Sequence, residues 1–301
     1  MKKLTGLSFA LLLVVLSGCG EKEEKTTAQL GSKAVGAEER TVPDYRVAVS
    51  EEGNEDFYEE IPLEQINEDY LQEWAKELAR GENGYDQEMK APKYVNGSLE
   101  GGSKQVILNE EELVDNVLNT TYWNRHVPLP LDTTEPNVSV ESLEGVENET
   151  IGAFQTAFNT GIKGRAENIQ LSTDSIHQTV LGPGDTFSFH QTVGQATAER
   201  GYKEASVIID GEFTDGLGGG ICQTSTTLYN AVMEAGLEVV ERHPHSLPVG
   251  YVPEGSDAMV SWGWADFRFK NTLDVPVLIQ GSVDKNNGTV AFEVRAREGE
   301  V

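Results

Sequence analysis

The sequence predicts an α+β protein of two domains, the C-terminal one a helix packed on an antiparallel sheet. Three observations predict it. Leu63, Ile66, Tyr70, Trp74 and Leu78 recur at helical spacing in the first half of the chain. Residues 258–297 read as successive short strands closed by turn signals such as Asn286-Asn287-Gly288. Between the halves, residues 132–150 are rich in Thr, Pro, Asn, Ser and Glu and read as a linker.

The elements follow in order. Gly81 closes the first helix, Asn96-Gly97 is a hairpin-type turn, and Asn109 with Glu112 forms a capping pair ahead of Leu113 and Val117. Val127–Leu131, with prolines at 128 and 130, leaves as an extended segment. In the second half a helix is expected over Ala166–Gln178 and a turn at Pro183-Gly184. Strands are expected at Thr186–Phe189 and Ala205–Asp210. Thr224–Ala235 has helical character and ends at Gly236; strands follow at Leu237–His243, Ala258–Trp262, Phe267–Lys270, Val275–Val283 and Thr289–Arg297.

The N-terminus carries an export signal. Lys2 and Lys3 precede a short apolar run, Leu4–Leu16, which ends in Leu16-Ser17-Gly18-Cys19. That ending has the form of a bacterial lipobox, in which the cysteine is diacylated and becomes the new N-terminus. The predicted organisation is therefore a lipoprotein signal peptide over 1–18, a flexible tether over 19–43, a first domain over 44–145 and a second over 150–301. The tether, poor in large apolar groups, has an r.m.s. span of roughly 25 Å. The protein is expected outside the cytoplasm, held to the cell membrane by two acyl chains on Cys19.

Charge excludes one class of partner. With 50 acidic against 23 basic residues and a formal net charge of −27, the chain is unsuited to nucleic acid. Of its two cysteines, one is committed to lipid, so Cys222 has no partner for an intramolecular disulfide in an oxidising compartment.

Cys222 follows Gly218-Gly219-Gly220 near the start of the Thr224–Ala235 helix. Free amides and the positive end of the macrodipole favour a thiolate there, and the amides of Gly220–Gln223 can face an oxyanion. The helix rises about 20 Å and the strand Leu237–His243 returns about 20 Å, which brings His243 and His245 level with Cys222. A thiol nucleophile needs a base and the base an orienting carboxylate; Asp257 and Asp266 are the candidates. Cysteine at a helix start, histidine on a strand and aspartate on a neighbouring strand is the layout of papain- and transglutaminase-like thiol enzymes. Each part also has a bland reading: a buried cysteine, a tight glycine turn, structural histidines. Cys222, His243, His245 and Asp257 have acceptable ligand types for zinc, but their spacing fits no standard zinc module, and no metal or cofactor is expected.

Residues 150–283 resemble the VanW-like domain family of exported bacterial proteins. The resemblance rests on Arg165 with Asn168-Ile169, Gly182–Phe189, Gly201-Tyr202, Gly218–Ala231, Ala235–Leu237, Glu241-Arg242, His245-Ser246, Tyr251–Pro253, Gly255, Asp257-Ala258, Asp266 and Asn271. His190 stands where the family usually has Asn, and Gln195-Ala196 where Pro-Arg is common. Residues 45–145 more weakly resemble a domain assigned to peptidoglycan binding that often precedes it, also seen in some L,D-transpeptidases. The resemblance implies cell-wall association and a glycopeptide context, with peptidoglycan or its precursors as partner. It favours His245 over His243.

Two functions follow as expectations. In one, Cys222 attacks a peptide amide, His245 moves the proton and Asp257 or Asp266 orients the ring, giving a thiol amidase or transpeptidase. In the other, Gly218, Gly219, Gly220, Gln223 and Thr224 line a binding site for a cell-wall peptide carboxylate, with Trp262 and Trp264 as an apolar wall.

Overall fold

In a computed structural model of the chain, residues 46–51, 58–81, 83–121, 125–209 and 211–300 are described. They belong to one unit, Tyr45–Val301. The lipobox with Cys19 and the tether lie outside the described residues. Among the described residues no helix is long and apolar enough to cross a membrane.

The first half is a small α+β assembly. Strands β1 (Arg46–Ser50) and β2 (Tyr58–Pro62) pair antiparallel, and α1 (Glu68–Arg80) follows, its N-terminus capped by the Asn67 side chain. Then come β3 (Lys93–Val95), β4 (Ser98–Glu100), β5 (Gln105–Leu108), α2 (Glu110–Leu118), β6 (His126–Pro128) and β7 (Leu131–Thr134). Asn109 caps α2 by accepting from the Glu112 amide at 3.1 Å. Leu71, Ala75, Leu113 and Val117 from the two helices meet Val47, Val49 and Ile61 in a common core.

The second half contains β8 (Glu149–Ala157), α3 (Lys163–Ile176), β9 (Thr179–Leu181), β10 (Thr186–Ser188), α4 (Phe189–Val193), β11 (Glu204–Ile209) and β12 (Glu212–Leu217). It continues with α5 (Ile221–Glu234), β13 (Glu238–Glu241), β14 (Arg268–Lys270), β15 (Val277–Asp284) and β16 (Thr289–Ala296). The main sheet has the order β4-β3-β9-β15-β16-β8 and is antiparallel throughout. Strands β3 and β4 come from the first half and extend the sheet of the second. The antiparallel three-stranded sheet β10-β14-β13 and the hairpin β11-β12 stand apart from it.

The α+β class is therefore observed. Helix α5 lies against β8 and β16, and α3 against β15. Phe187, Phe189, Phe267, Phe269 and Phe292 are fully or almost fully buried, each worth roughly 2–3 kcal/mol of removed apolar surface. Buried hydroxyls lock the helices together: Ser172 Oγ and Thr224 Oγ1 are 2.8 Å apart.

Three local expectations differ from the structure. The stretch read as a linker buries Leu143 and Val146 against Val180 and Leu278, because two apolar side chains suffice to pin a polar segment. Phe189 ends no strand; Ser188 accepts from the Gln191 amide and starts α4 there. Residues 258–262 form isolated bridges, His243 with Met259 and Ser261 with Ala265, rather than a strand.

Candidate functional site

The site is built on the turn that joins β12 to α5. Gly218 has φ +84° and Gly220 φ +113°, a backbone that side chains resist. Gly219 passes so close to β11 that a Cβ there would lie 2.6 Å from the Ala205 carbonyl. Fully buried Asn168, on α3, holds this turn by donating to the Lys203 and Gly219 carbonyls, each at 2.9 Å. The Ile221 and Gln223 amides donate to Gly218 and Gly220 within the turn. The Cys222 amide has no carbonyl acceptor among the described residues.

Helix α5 thus starts three residues before the sequence expectation, and Cys222 sits in its first turn. Its thiol donates to the Val260 carbonyl at 3.4 Å. Burial pushes the thiol above its usual pKa, which the nearby Arg165 guanidinium only partly offsets. The sequence expectation is a lowered value; burial acts in the opposite direction. A helix terminus contributes about 1 kcal/mol, whereas burial of a charge costs several times that.

The hydroxyls that follow Cys222 fix the segment that carries Asp257. Ser225 Oγ donates to the Ala258 carbonyl at 2.6 Å, Thr226 Oγ1 accepts from the Ala258 amide at 3.0 Å, and Asn230 donates to the Ser256 carbonyl. Asp257 is held between them. Its Oδ2 accepts from both the amide and Nδ1 of His245, each at 2.6 Å, and its Oδ1 pairs with Arg242 at 3.0 Å. Burial pulls the Asp257 carboxyl up, but the two His245 donors outweigh it and leave the group below the usual value. An ionised carboxylate only accepts, so His245 Nδ1 carries the proton of that hydrogen bond.

Cys222 and His245 line one cleft of ≈ 1220 Å³. Residues of the β11–β12 hairpin, of the segment 244–251 and of the turn 259–264 line it. Trp264 is 73% exposed and Phe213 67%, so both project apolar surface into solvent beside the cleft.

The remaining sequence candidates lie as follows. Gly218, Gly219, Gly220 and Gln223 line the cleft, but Thr224 is buried against Ser172 and does not. The Gln223 amide is fully engaged by Arg165, Thr156 and Ala157. His243 pairs with Glu241 at 2.9 Å, outside the cleft. Asp266 accepts from Ser188, His190 and Phe267 at the start of α4 and makes no contact with an imidazole side chain. Asp257, not Asp266, is therefore the carboxylate on His245. Among the described residues no group of three or more His, Cys, Asp or Glu is disposed to hold a metal ion.

Three lining residues went unassigned in the sequence. Arg165 donates to Gln223 Oε1 at 2.8 Å, Tyr251 is bonded to Thr226, and His190 packs 5.2 Å from the Trp262 ring with a buried, unpartnered Nε2. The signal available for Arg165 and Tyr251 was their place among the family-like residues, whereas His190 departs from that pattern; none is close to Cys222 in sequence.

The model of the family described as VanW like protein matches residues 164–293, which contain Cys222, His245 and Asp257. The chain is 46% identical over 154 residues to the uncharacterized protein YoaR of Bacillus subtilis, covering 51% of each. It is 30% identical over 122 residues to the vancomycin B-type resistance protein VanW of Enterococcus faecalis, covering 39% of this chain and 44% of that one. The chain thus spans about half the length of the curated relatives it matches. No solved structure matches it.

Proposed function

We propose that the protein is a lipid-anchored cell-envelope protein that acts on peptidoglycan or its precursors through a Cys222–His245–Asp257 thiol centre. The cell-wall setting is supported by similarity to a protein named for vancomycin resistance and by the lipobox at Cys19. The chemistry is supported above all by one observation: an imidazole oriented at 2.6 Å by an otherwise shielded carboxylate lines the same cleft as the free thiol.

In the reaction, the Cys222 sulfur attacks an amide carbonyl of a wall peptide while its proton passes to His245 Nε2. The tetrahedral adduct collapses to a thioester, and His245 returns the proton to the departing amine. Water or a second amine then attacks the thioester, its proton taken by the ring, and the thiol is regenerated. Asp257 stabilises the imidazolium without taking its proton. Because burial favours the neutral thiol, proton transfer belongs to the attack step rather than to a standing ion pair.

One observation favours a second reading, a non-catalytic peptide-binding module: the thiol rests on the Val260 carbonyl and not on the imidazole. Muropeptide profiles of purified sacculi incubated with wild type, Cys222→Ala and His245→Ala separate the two. Time-dependent changes lost in both variants are expected. Profiles unchanged by wild type, with sacculus binding intact in Cys222→Ala, would establish the binding module instead.

A further inference from the structure

Arg165 is a half-buried cation with no carboxylate partner among the described residues. Its side chain crosses the first turn of α5: Cγ would lie 3.0 Å from a Cβ on Gly220, and Nη2 donates to Gln223 Oε1 at 2.8 Å. Gln223 is 1% exposed and clamped by Thr156 and Ala157, so a neutral amide holds the guanidinium in place. Arg242, Arg268, Arg295 and Arg297 each meet an Asp or Glu. A guanidinium has five N–H donors, and one of those on Arg165 is used. Burial pushes its pKa down, the mark of a charge that its surroundings undersolvate.

The cleft around it is chemically unlike the rest of the chain. About one residue in six of the protein is acidic, yet among the described residues none of the 32 that line the cleft is Asp or Glu. An anion inside it meets Arg165, and among the described residues the nearest carboxylate behind the walls is that of Asp257, already engaged by His245 and Arg242. Ile162, Leu217 and Trp262, exposed at the rim, match the apolar part of such a ligand.

We propose that Arg165 is the specificity-determining residue of the cleft, where its guanidinium receives the carboxylate of an anionic peptide beside Cys222. The assignment rests on the reading of the cleft as a ligand site, though not on the thiol being catalytic. Gln223 is its positioning residue, and free amides at the glycine turn are secondary.

The test uses two reagents of like size, anionic iodoacetate and neutral iodoacetamide, on the full chain at pH 8.5. Alkylation of Cys222 is read by peptide mass spectrometry. In each case the sulfur displaces iodide, so the ratio of the two rates reports the preference for an anion at that place. The ratio in the folded protein is expected to exceed that of the urea-unfolded chain on the order of tenfold, as expected of a local steering charge. Arg165→Gln, with its fold checked by thermal melting, should abolish the excess, and Arg165→Lys should keep most of it. A wild-type ratio no higher than the unfolded one overturns the proposal, as does an unchanged ratio in Arg165→Gln. Slow labelling by both reagents with the ratio preserved counts against thiol chemistry and for the anion receptor; fast labelling without preference does the reverse.

Discussion

Oδ2 of Asp257 accepts two hydrogen bonds from the same residue, His245, one from its amide and one from Nδ1, each at 2.6 Å. That double contact fixes both where the strand-like segment runs and how its ring is turned. The other oxygen is paired with Arg242, so both carboxylate oxygens are engaged.

Asp257→Asn should therefore cost roughly 3 kcal/mol, since it leaves Arg242 and the His245 donors poorly matched in a mostly buried position. The folded carboxyl lies below its unfolded value, so its stabilisation is full above about pH 4 and is lost as pH falls through the folded value. Urea titrations of wild type and variant at pH 7 should differ by that amount and converge toward pH 2–3.

The Cys222 thiol is held above its ordinary value by burial. Alkylation of the ligand-free protein by iodoacetamide should keep rising with pH beyond 9 instead of levelling near neutrality. A plateau reached below pH 8 would contradict the protonated resting thiol.

Gly219→Ala places a Cβ 2.6 Å from the Ala205 backbone and 2.7 Å from the Ser206 carbonyl. Neither neighbour can yield cheaply, so a loss of about 2–3 kcal/mol is expected, read as a lowered thermal midpoint. Gly250, which also lines the cleft, has open space around it, and Gly250→Ala should be near neutral.

Asn168→Leu removes two donors to the turn carbonyls and the acceptor for the Lys203 amide. Leaving those groups buried and unpaired should cost about 2–4 kcal/mol. Hydrogen exchange should show the β12–α5 junction loosening ahead of the main sheet.

Trp264→Ala should leave stability within about 0.5 kcal/mol, because the ring is 73% exposed. If the ring is part of the ligand wall, sacculus binding by the variant falls at unchanged thermal midpoint; equal binding would assign it to surface alone.

Much of the site's local framework was legible in the sequence. A glycine run followed by an apolar-periodic stretch dictates a turn and a helix, and Cys222 has to occupy its first turn, because capping and backbone freedom act over a few residues. The Asn109–Glu112 pair was legible for the same reason. Only the tertiary structure decided the chemistry around the sulfur. Asp257 and Asp266 look alike in sequence, and the hydroxyls of Ser225 and Thr226, about thirty residues away, select the first. The direction of the thiol shift, and the lack of a carboxylate beside Arg165 among the described residues, depend on which segments pack over α5. Desolvation and charge pairing sum over neighbours distant in the chain, and no local pattern encodes them.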